Sequence, residues 1–198
     1  MPCFTASICL FCGARSGHDP ALAHMARETG RLLAGRGWRL VYGAGDVGLM
    51  GEAARAAQAA GGHTLGVIPQ HLKQRERPRP AADIDAAGNG TALVVVTETM
   101  HERKKVMFTN SDAAIVLPGG AGTLDEFFEV LTWAQIGLHR KPILLVDTNG
   151  FWQPLMALID HVIEQGFAES SLRDLFTIAA DMPALGCALD RQLPPSGR

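Results

Sequence analysis

The sequence predicts one α/β domain built on a doubly wound, mostly parallel sheet of six or seven strands flanked by helices. Short apolar runs of strand length alternate along the chain with segments of helical periodicity, and this alternation is typical of a parallel sheet covered on both faces. Hydrophobic residues make up 47% of the 198 residues, which is enough for a sizeable core. Since no repeat or linker divides the chain, we expect one domain over residues 1–190 and a flexible tail over 191–198.

The first three strands and two helices have clear boundary signals. Asp19 is suited to cap a helix that begins at Pro20, and Gly37 ends that helix. An Ala-rich helical segment ends at Gly61 and Gly62. The expected strands are 5–11, 38–42 and 63–68, and the expected helices are 20–36 and 49–60.

The second half repeats the pattern after a polar interruption. Residues 71–90 include a charged, Pro-punctuated stretch at 73–80 and a turn at 88–90. We expect a long surface loop there, of the kind that is often functional. Beyond it the expected strands are 92–97, 113–117, 142–146 and 175–178, and the expected helices are 100–110, 124–138 and 151–165, followed by a short final helix.

Charge and composition exclude several classes of function. The formal net charge of −2 does not favour binding to nucleic acid or to an anionic membrane. No apolar run approaches the roughly 20 residues of a membrane span, and the first residues do not resemble a signal peptide. Four cysteines are too few for a disulfide scaffold, and the Cys9-x-x-Cys12 pair falls in a predicted strand that turns the two thiols to opposite faces. We therefore expect a protein of the reducing cytoplasm without a zinc or redox site.

A first glycine loop, Gly43-x-Gly45-x-x-Gly48, follows a predicted strand and opens a helix. Glycines there let a backbone approach a phosphate, and the helix N-terminus offers N–H groups, so these three are phosphate-loop candidates. A dinucleotide site also needs an acid at the end of the next strand, and residues 66–70 contain none. The loop also lacks the Gly-Lys-Ser/Thr ending of a P-loop. NAD binding and nucleoside triphosphate hydrolysis are both disfavoured.

A second glycine loop places Gly119, Gly120 and Gly122 between a strand and a helix. Two such loops at the carboxyl edge of one open sheet favour a phosphate-bearing ligand held between them, with Gly119 as a further phosphate-loop candidate. Thr123 and Glu126 also match a capping box, in which Thr caps the helix and Glu reaches back three residues. Glu126 is therefore either a structural carboxylate or a functional one beside the phosphate, and the spacing leaves both interpretations open.

Three consecutive cations, Arg103, Lys104 and Lys105, lie in the helix predicted at 100–110. Arg103 shares an apolar stripe with Met100 and Met107, three and four residues away. A cation beside such a stripe tends to find a carboxylate or a phosphate, because an unpaired buried charge is costly. We favour a functional role for Arg103 and expect Lys105 to be solvated.

These motifs together resemble those of one enzyme family, the LOG ("lonely guy") cytokinin riboside 5'-monophosphate phosphoribohydrolases, which long carried the name lysine decarboxylase. The resemblance extends over about residues 8–166. The most specific part is the combination of Met100-His101-Glu102-Arg103-Lys104 with the PGGxGTxxE motif at 118–126. The other matching segments are 12–13, 41–45, 48–51, 66–69 and 132–135, with Ala44 where the family commonly has glycine.

The resemblance implies a Rossmann-like homodimer that hydrolyses the N-glycosidic bond of adenosine-type 5'-monophosphates. The implied products are a free, often N6-substituted, adenine and ribose 5-phosphate. Arg103 and Glu126 are implied as the catalytic pair. The substrate contacts that it implies are Glu76, Met100, Lys104, Gly120, Ala121, Gly122, Thr123, Leu124, Asp125 and Thr132.

The residue chemistry fits this activity. N-glycoside cleavage passes through an oxocarbenium-like ribose, which the Glu126 carboxylate can stabilise while it orients water. Arg103 can hold that carboxylate and contact phosphate or base. No residue pattern suggests a metal ion or pyridoxal phosphate, so we expect no cofactor and no lysine decarboxylase activity. A carrier or sensor that binds a nucleotide without turnover is the alternative.

A second copy of the chain is the expected protein partner. The helical segment 127–136 is apolar nearly all round, which is more than one buried stripe requires. The family resemblance also implies a homodimer.

Overall fold

Seven parallel strands form one sheet in the part of the chain that the computed structural model describes, residues 4–73 and 92–193. The strands are β1 (Ser7–Phe11), β2 (Arg39–Tyr42), β3 (Thr64–Pro69), β4 (Ala92–Thr97), β5 (Ala113–Val116), β6 (Ile143–Val146) and β7 (Thr177–Ala179). Their order across the sheet is β4-β3-β2-β1-β5-β6-β7, and every pair is parallel. The predicted fold class and parallel sheet are confirmed.

Helices connect the strands on both faces of the sheet. They are α1 (Pro20–Gly35), α2 (Gly48–Ala59), α3 (Met100–Thr109), α4 (Ala121–Gln135), α5 (Gln153–Glu164) and α6 (Met182–Gln192). Short 3-10 turns lie at Gln70–Leu72, Thr148–Gly150 and Ser170–Leu175. The predicted cap of α1 is confirmed, since the Asp19 carboxylate accepts a hydrogen bond from Ala21 N at 2.8 Å. Helix α6 continues two residues into the predicted tail, and residues 194–198 lie outside the described part.

The apolar side chains form two clusters, one on each face of the sheet. One cluster packs α1, α2 and α6 against the sheet, and the other packs α4 and α5. Cys9 belongs to the second cluster and Cys12 to the first, so the Cys-x-x-Cys pair is divided between the two faces as predicted. Burial of a leucine-sized side chain in such a cluster contributes about 1.5–3 kcal/mol.

The strand order creates a crevice between β1 and β5. From β1 the chain moves outward through β2, β3 and β4, and it then returns to the other side of β1 as β5. Loops at such a reversal diverge to opposite faces, and ligands of open α/β sheets bind there, beyond the carboxyl ends of the strands. A hydrogen bond of 3.0 Å from Gly13 N to the Pro118 carbonyl joins the two loops at the base of this crevice.

Candidate active site

A cavity of about 720 Å³ opens where β1 and β5 end. Residues 12–17, which follow β1, form one wall. The loop after β5 and the first turns of α4 form the opposite wall. The cavity therefore occupies the crevice that the strand order creates.

Helix α4 points its N-terminus into this cavity. Its N-cap is Gly120, and no side chain makes a capping hydrogen bond there. The first helical hydrogen bond runs from Leu124 N to the Gly120 carbonyl at 3.1 Å, so the three preceding N–H groups have no acceptor within the helix. A Cβ atom added at Gly120 or Gly122 would meet nothing within 4 Å, which leaves open space in front of these amides.

Of the two interpretations left open for Thr123 and Glu126, the capping box does not form. Helix α4 begins three residues earlier than predicted, so Thr123 lies inside its first turn and Glu126 lies in the second. Thr123 packs instead against the glycine loop, where a Cβ atom at Gly119 would lie 2.1 Å from its hydroxyl oxygen. A capping box does form at α3, where the Thr99 hydroxyl accepts from Glu102 N at 3.1 Å and the Glu102 carboxylate accepts from Thr99 N at 3.2 Å.

The first glycine loop lies behind the cavity wall rather than on it. None of Gly43, Gly45 and Gly48 lines the cavity. The N-terminus of α2 is already used by the protein, because Leu49 N and Met50 N donate to the Gly13 carbonyl at 3.0 and 3.4 Å. These three phosphate-loop candidates therefore gain no support from the position of the cavity.

The glycines of this loop instead allow other protein segments to come close. A Cβ atom at Gly43 would lie 1.9 Å from the Arg103 guanidinium. Gly48 has a φ of +58°, and a Cβ atom on it would lie 2.3 Å from the Ala14 carbonyl carbon. The loop thus supports Arg103 on one side and the β1–α1 loop on the other.

Arg103 is buried but reaches the cavity. Only 4% of its surface is exposed, and two backbone carbonyls orient its guanidinium. The Arg103 Nε donates to the Val67 carbonyl at 3.1 Å, and Nη2 donates to the Gly43 carbonyl at 2.8 Å. A cation held in this way loses little conformational entropy when it binds an anion.

Glu126 lines the same cavity, half-buried, near Arg103 and Cys12. Burial raises the pKa of the Cys12 thiol well above its ordinary value, and the negative charge of Glu126 raises it further. The positive charge of Arg103 partly offsets this rise in the Cys12 pKa. The charges of both members of the predicted catalytic pair therefore influence the Cys12 thiol, which also lines the cavity.

Lys104 does not line the cavity, and it joins α3 to α4. Its ammonium lies 3.0 Å from a carboxylate oxygen of Asp125 and 3.0 Å from one of Glu129. Burial alone would lower the pKa of Lys104, but the hydrogen bonds with Glu129 and Asp125 outweigh it, and the pKa is raised. Lys105 is exposed, as predicted.

The cavity brings together part of the predicted site. The predicted residues that line it are Met100, Arg103, Gly119, Gly120, Ala121, Gly122, Thr123, Asp125 and Glu126. Those that lie outside its lining are Gly43, Gly45, Gly48, Lys104, Leu124 and Thr132. Glu76 lies outside the described residues.

Sequence reasoning missed the wall formed by the β1–α1 loop. Arg15 lies on this wall with an exposed side chain. The rule that ligands bind at the reversal of strand order could have indicated this loop, but only with the order of the strands in hand. An apolar part of the lining also went unnoticed, since its members come from separate elements: Leu22, Leu49, Met50, Leu72 and Phe151.

The described residues show neither a cluster of metal ligands nor a helix that could span a membrane. No group of three or more His, Cys, Asp or Glu side chains is placed to hold a metal ion in residues 4–73 and 92–193. Over the same residues, no helix has the length and apolar character needed to cross a membrane.

Comparison with known proteins gives a consistent family. The family described as "Possible lysine decarboxylase" matches residues 50–188. A probable cytokinin riboside 5'-monophosphate phosphoribohydrolase of Oryza sativa subsp. japonica is 41% identical over 187 residues, which cover 94% of this chain and 78% of that protein. A cytokinin riboside 5'-monophosphate phosphoribohydrolase of Arabidopsis thaliana is 38% identical over 187 residues, which cover 94% of this chain and 84% of that protein.

Solved structures support the same fold. The molybdenum cofactor carrier protein of Chlamydomonas reinhardtii has a TM-score of 0.67 at 25% identity, over 96% of this chain and 98% of that one. A molybdenum cofactor binding protein of Rippkaea orientalis has a TM-score of 0.63 at 24% identity, over 93% of each chain, and it shows the fold alone. On the strength of the sequence relatives, the chain belongs to the LOG family of cytokinin riboside 5'-monophosphate phosphoribohydrolases.

Proposed function

We propose that this protein hydrolyses the N-glycosidic bond of adenosine 5'-monophosphates, including N6-substituted ones, to a free base and ribose 5-phosphate. One observation carries the proposal: Arg103 and Glu126 line the same cavity as the uncapped N-terminus of α4. A site for this reaction needs an anion-binding element for the phosphate and a carboxylate for the ribose. The relatives named for this reaction support the same conclusion.

The 5'-phosphate binds at the N-terminus of α4. The amides of Ala121, Gly122 and Thr123 have no acceptor within the helix, and the helix dipole adds partial positive charge there. Gly120 leaves room for phosphate oxygens in front of them. Arg15 on the opposite wall supplies a cation that can form charge-assisted hydrogen bonds with the same phosphate.

Glu126 and Arg103 carry out the chemistry at the ribose. The bond between C1' and the base nitrogen breaks, and positive charge develops on the ribose ring. The Glu126 carboxylate stabilises that charge and accepts a proton from the attacking water, whose oxygen forms the new bond to C1'. The leaving base takes up a proton at its nitrogen from solvent, and Glu126 afterwards returns its own proton to solvent, so that one water is consumed in all. Arg103, oriented by the Val67 and Gly43 carbonyls, holds the reacting groups in place.

The apolar part of the cavity accommodates the base and its N6 substituent. Leu22, Leu49 and Met50 provide an apolar surface on one side, and Phe151 and Leu72 extend it. Such a surface favours a flat base with an apolar substituent over a polar one. A volume of about 720 Å³ is in the range of sites that take small organic ligands.

The protein acts without a metal or organic cofactor, as a homodimer of the cytoplasm. Helix α4 and the residues after it expose Phe128, Ile136 (63%) and Leu138 (69%) on the outside of the domain. A second copy of the chain would remove these side chains from water, which is favourable. The three described cysteines, Cys9, Cys12 and Cys187, are free thiols, in keeping with a reducing compartment.

A nucleotide carrier is the second candidate function, and the structural likeness to a molybdenum cofactor carrier protein is the observation that favours it. Turnover separates the two functions. The pure protein should release free adenine from AMP and free base from N6-isopentenyl-AMP, as measured by chromatography. Tight binding of either nucleotide without release of base would leave the carrier function in its place.

A further inference from the structure

Lys104 makes contacts that do not fit a residue that binds substrate. It is buried, it does not line the cavity, and its ammonium is held between two carboxylates of α4. Its neighbour Arg103 lines the cavity. Of these two adjacent residues of α3, Arg103 therefore lines the cavity, whereas Lys104 contacts only the carboxylates of α4 among the ion pairs described, one of which, Asp125, itself lines the cavity.

The two carboxylates that hold Lys104 are on either side of Glu126 along α4. Asp125 and Glu129 lie four residues apart, one helical turn, and so share a stripe of the helix. Glu126 lies between them in the chain and lines the cavity. The Asp125 side chain is 61% exposed and that of Glu129 only 22%. Because water screens the more exposed pair, Glu129 is the stronger of the two attachments.

We infer that Lys104 is a positioning residue, which through Glu129 holds α4 against α3 so that Glu126 faces the ribose. The inference rests on the proposed function, since it gives Glu126 its role. It differs from the implication of the family resemblance, in which Lys104 contacts substrate. Glu129, which no sequence motif singled out, becomes part of the support of the site.

The physical reason is that the ion pair between Lys104 and Glu129 does two things. It stabilises the contact between α3 and α4, and it also fixes the orientation of α4. Removal of Lys104 leaves the partly buried Glu129 carboxylate without its cation, and helix α4 can then relax toward water. A displacement of about 1 Å at a reacting group is enough to slow catalysis by roughly 100-fold. The amides that are proposed to bind the phosphate directly follow the loop that the hydrogen bond from Gly13 N to the Pro118 carbonyl holds against β1. They should therefore move less than Glu126, and KM should change less than kcat.

Steady-state kinetics on AMP test the inference with the full-length protein. Lys104→Met should lower kcat by about 10- to 100-fold and leave KM within about threefold of the wild-type value. Glu129→Gln should lower kcat in the same direction but less, because Asp125 still holds Lys104. The double variant should be no slower than Lys104→Met, since the two residues act through one contact. Lys104→Arg should retain most of the activity.

Lys105→Met is the matched control, because Lys105 is the adjacent lysine of the same helix and is exposed. Its kcat and KM should stay within about twofold of wild type. A Lys104→Met protein with a raised KM and a normal kcat would overturn the inference and restore the substrate contact. A double variant whose kcat falls by the product of the two single-variant reductions would also overturn the inference.

Folding and the underlying function are checked separately. Circular dichroism and thermal unfolding establish that each variant is folded. If Lys104→Met does not fold, Glu129→Gln decides alone, and a normal kcat for that variant contradicts the inference. A wild-type protein that releases no adenine would remove the proposed function and this inference together, whereas normal wild-type turnover with an unaffected Lys104→Met removes only the inference.

Discussion

The substitution Gly43→Ala tests whether the first glycine loop serves the ligand or Arg103. The added Cβ atom would lie 1.9 Å from Arg103 Nη2, whereas ordinary contacts begin at 3.4 Å. Restoring an ordinary contact requires the guanidinium to move by roughly 1.5 Å, a displacement that corresponds to a fall in kcat of about 100-fold or more. Gly43 does not have a positive φ, so alanine introduces no backbone strain. Crowding against Arg103 should lower the free energy of unfolding by about 1–3 kcal/mol.

The assay is AMP hydrolysis together with thermal unfolding. A fall in kcat with KM nearly unchanged is expected, since the substitution does not touch the α4 amides that we propose as the phosphate site. The matched control is Gly35→Ala, at the exposed end of α1, where a Cβ atom meets nothing within 4 Å. It should leave kcat unchanged and stability equal or higher by up to about 1 kcal/mol. A Gly43→Ala protein with a raised KM and a normal kcat would mean that the loop contacts the phosphate after all.

Four further outcomes are expected. Glu126→Gln should slow release of base by about 100-fold or more, which is the contribution of one positioned acid–base group. The free energy of unfolding should change by less than about 1 kcal/mol. Near-normal release would end the catalytic assignment. Arg15→Gln should raise KM for AMP by about tenfold and weaken inhibition by ribose 5-phosphate to the same degree, while inhibition by adenine, which has no phosphate, stays unaltered. Equal weakening of inhibition by ribose 5-phosphate and by adenine would contradict the phosphate contact. Excess chelator should leave turnover of AMP unchanged, and an activity that needs added divalent ions would refute the metal-independent mechanism. Light scattering at micromolar concentration should give twice the chain mass of 21.1 kDa, and a monomer alone would exclude the dimer.

The elements of the fold were predictable because their periodicities are unambiguous. Strand β4 has the predicted bounds, Ala92–Thr97, and α1 begins at Pro20 as predicted, where Asp19 and Pro20 give a strong start signal. The start of α4 was predicted three residues late. Its N-cap, Gly120, has no side chain to mark the position, so the Thr123-x-x-Glu126 pattern gave a misleading signal.

The two Thr-x-x-Glu patterns show why a local motif was not enough. Thr99 and Glu102 form a capping box, whereas Thr123 and Glu126 do not. The second pattern follows a loop that is tied to β1 by the hydrogen bond from Gly13 N to the Pro118 carbonyl. That contact joins residues more than 100 positions apart, and with it the helix begins at Ala121. No reading of residues 118–126 alone contains this information.

The position of the proposed phosphate site depends on the same long-range geometry. Both glycine loops follow strands and open helices, and local sequence predicts an anion site at each. At α2 the helix N-terminus is taken, because Leu49 N and Met50 N donate to the Gly13 carbonyl. At α4 it is open to the cavity. The difference follows from strand order. The loop after β1 crosses over the start of α2 on its way to α1. Strand β5 lies on the other side of β1, and the helix that follows it, α4, faces the crevice. The absence of a side chain at Gly43 and Gly48 therefore lets other segments of the protein pack closely. At Gly120 and Gly122 it leaves open space for a ligand.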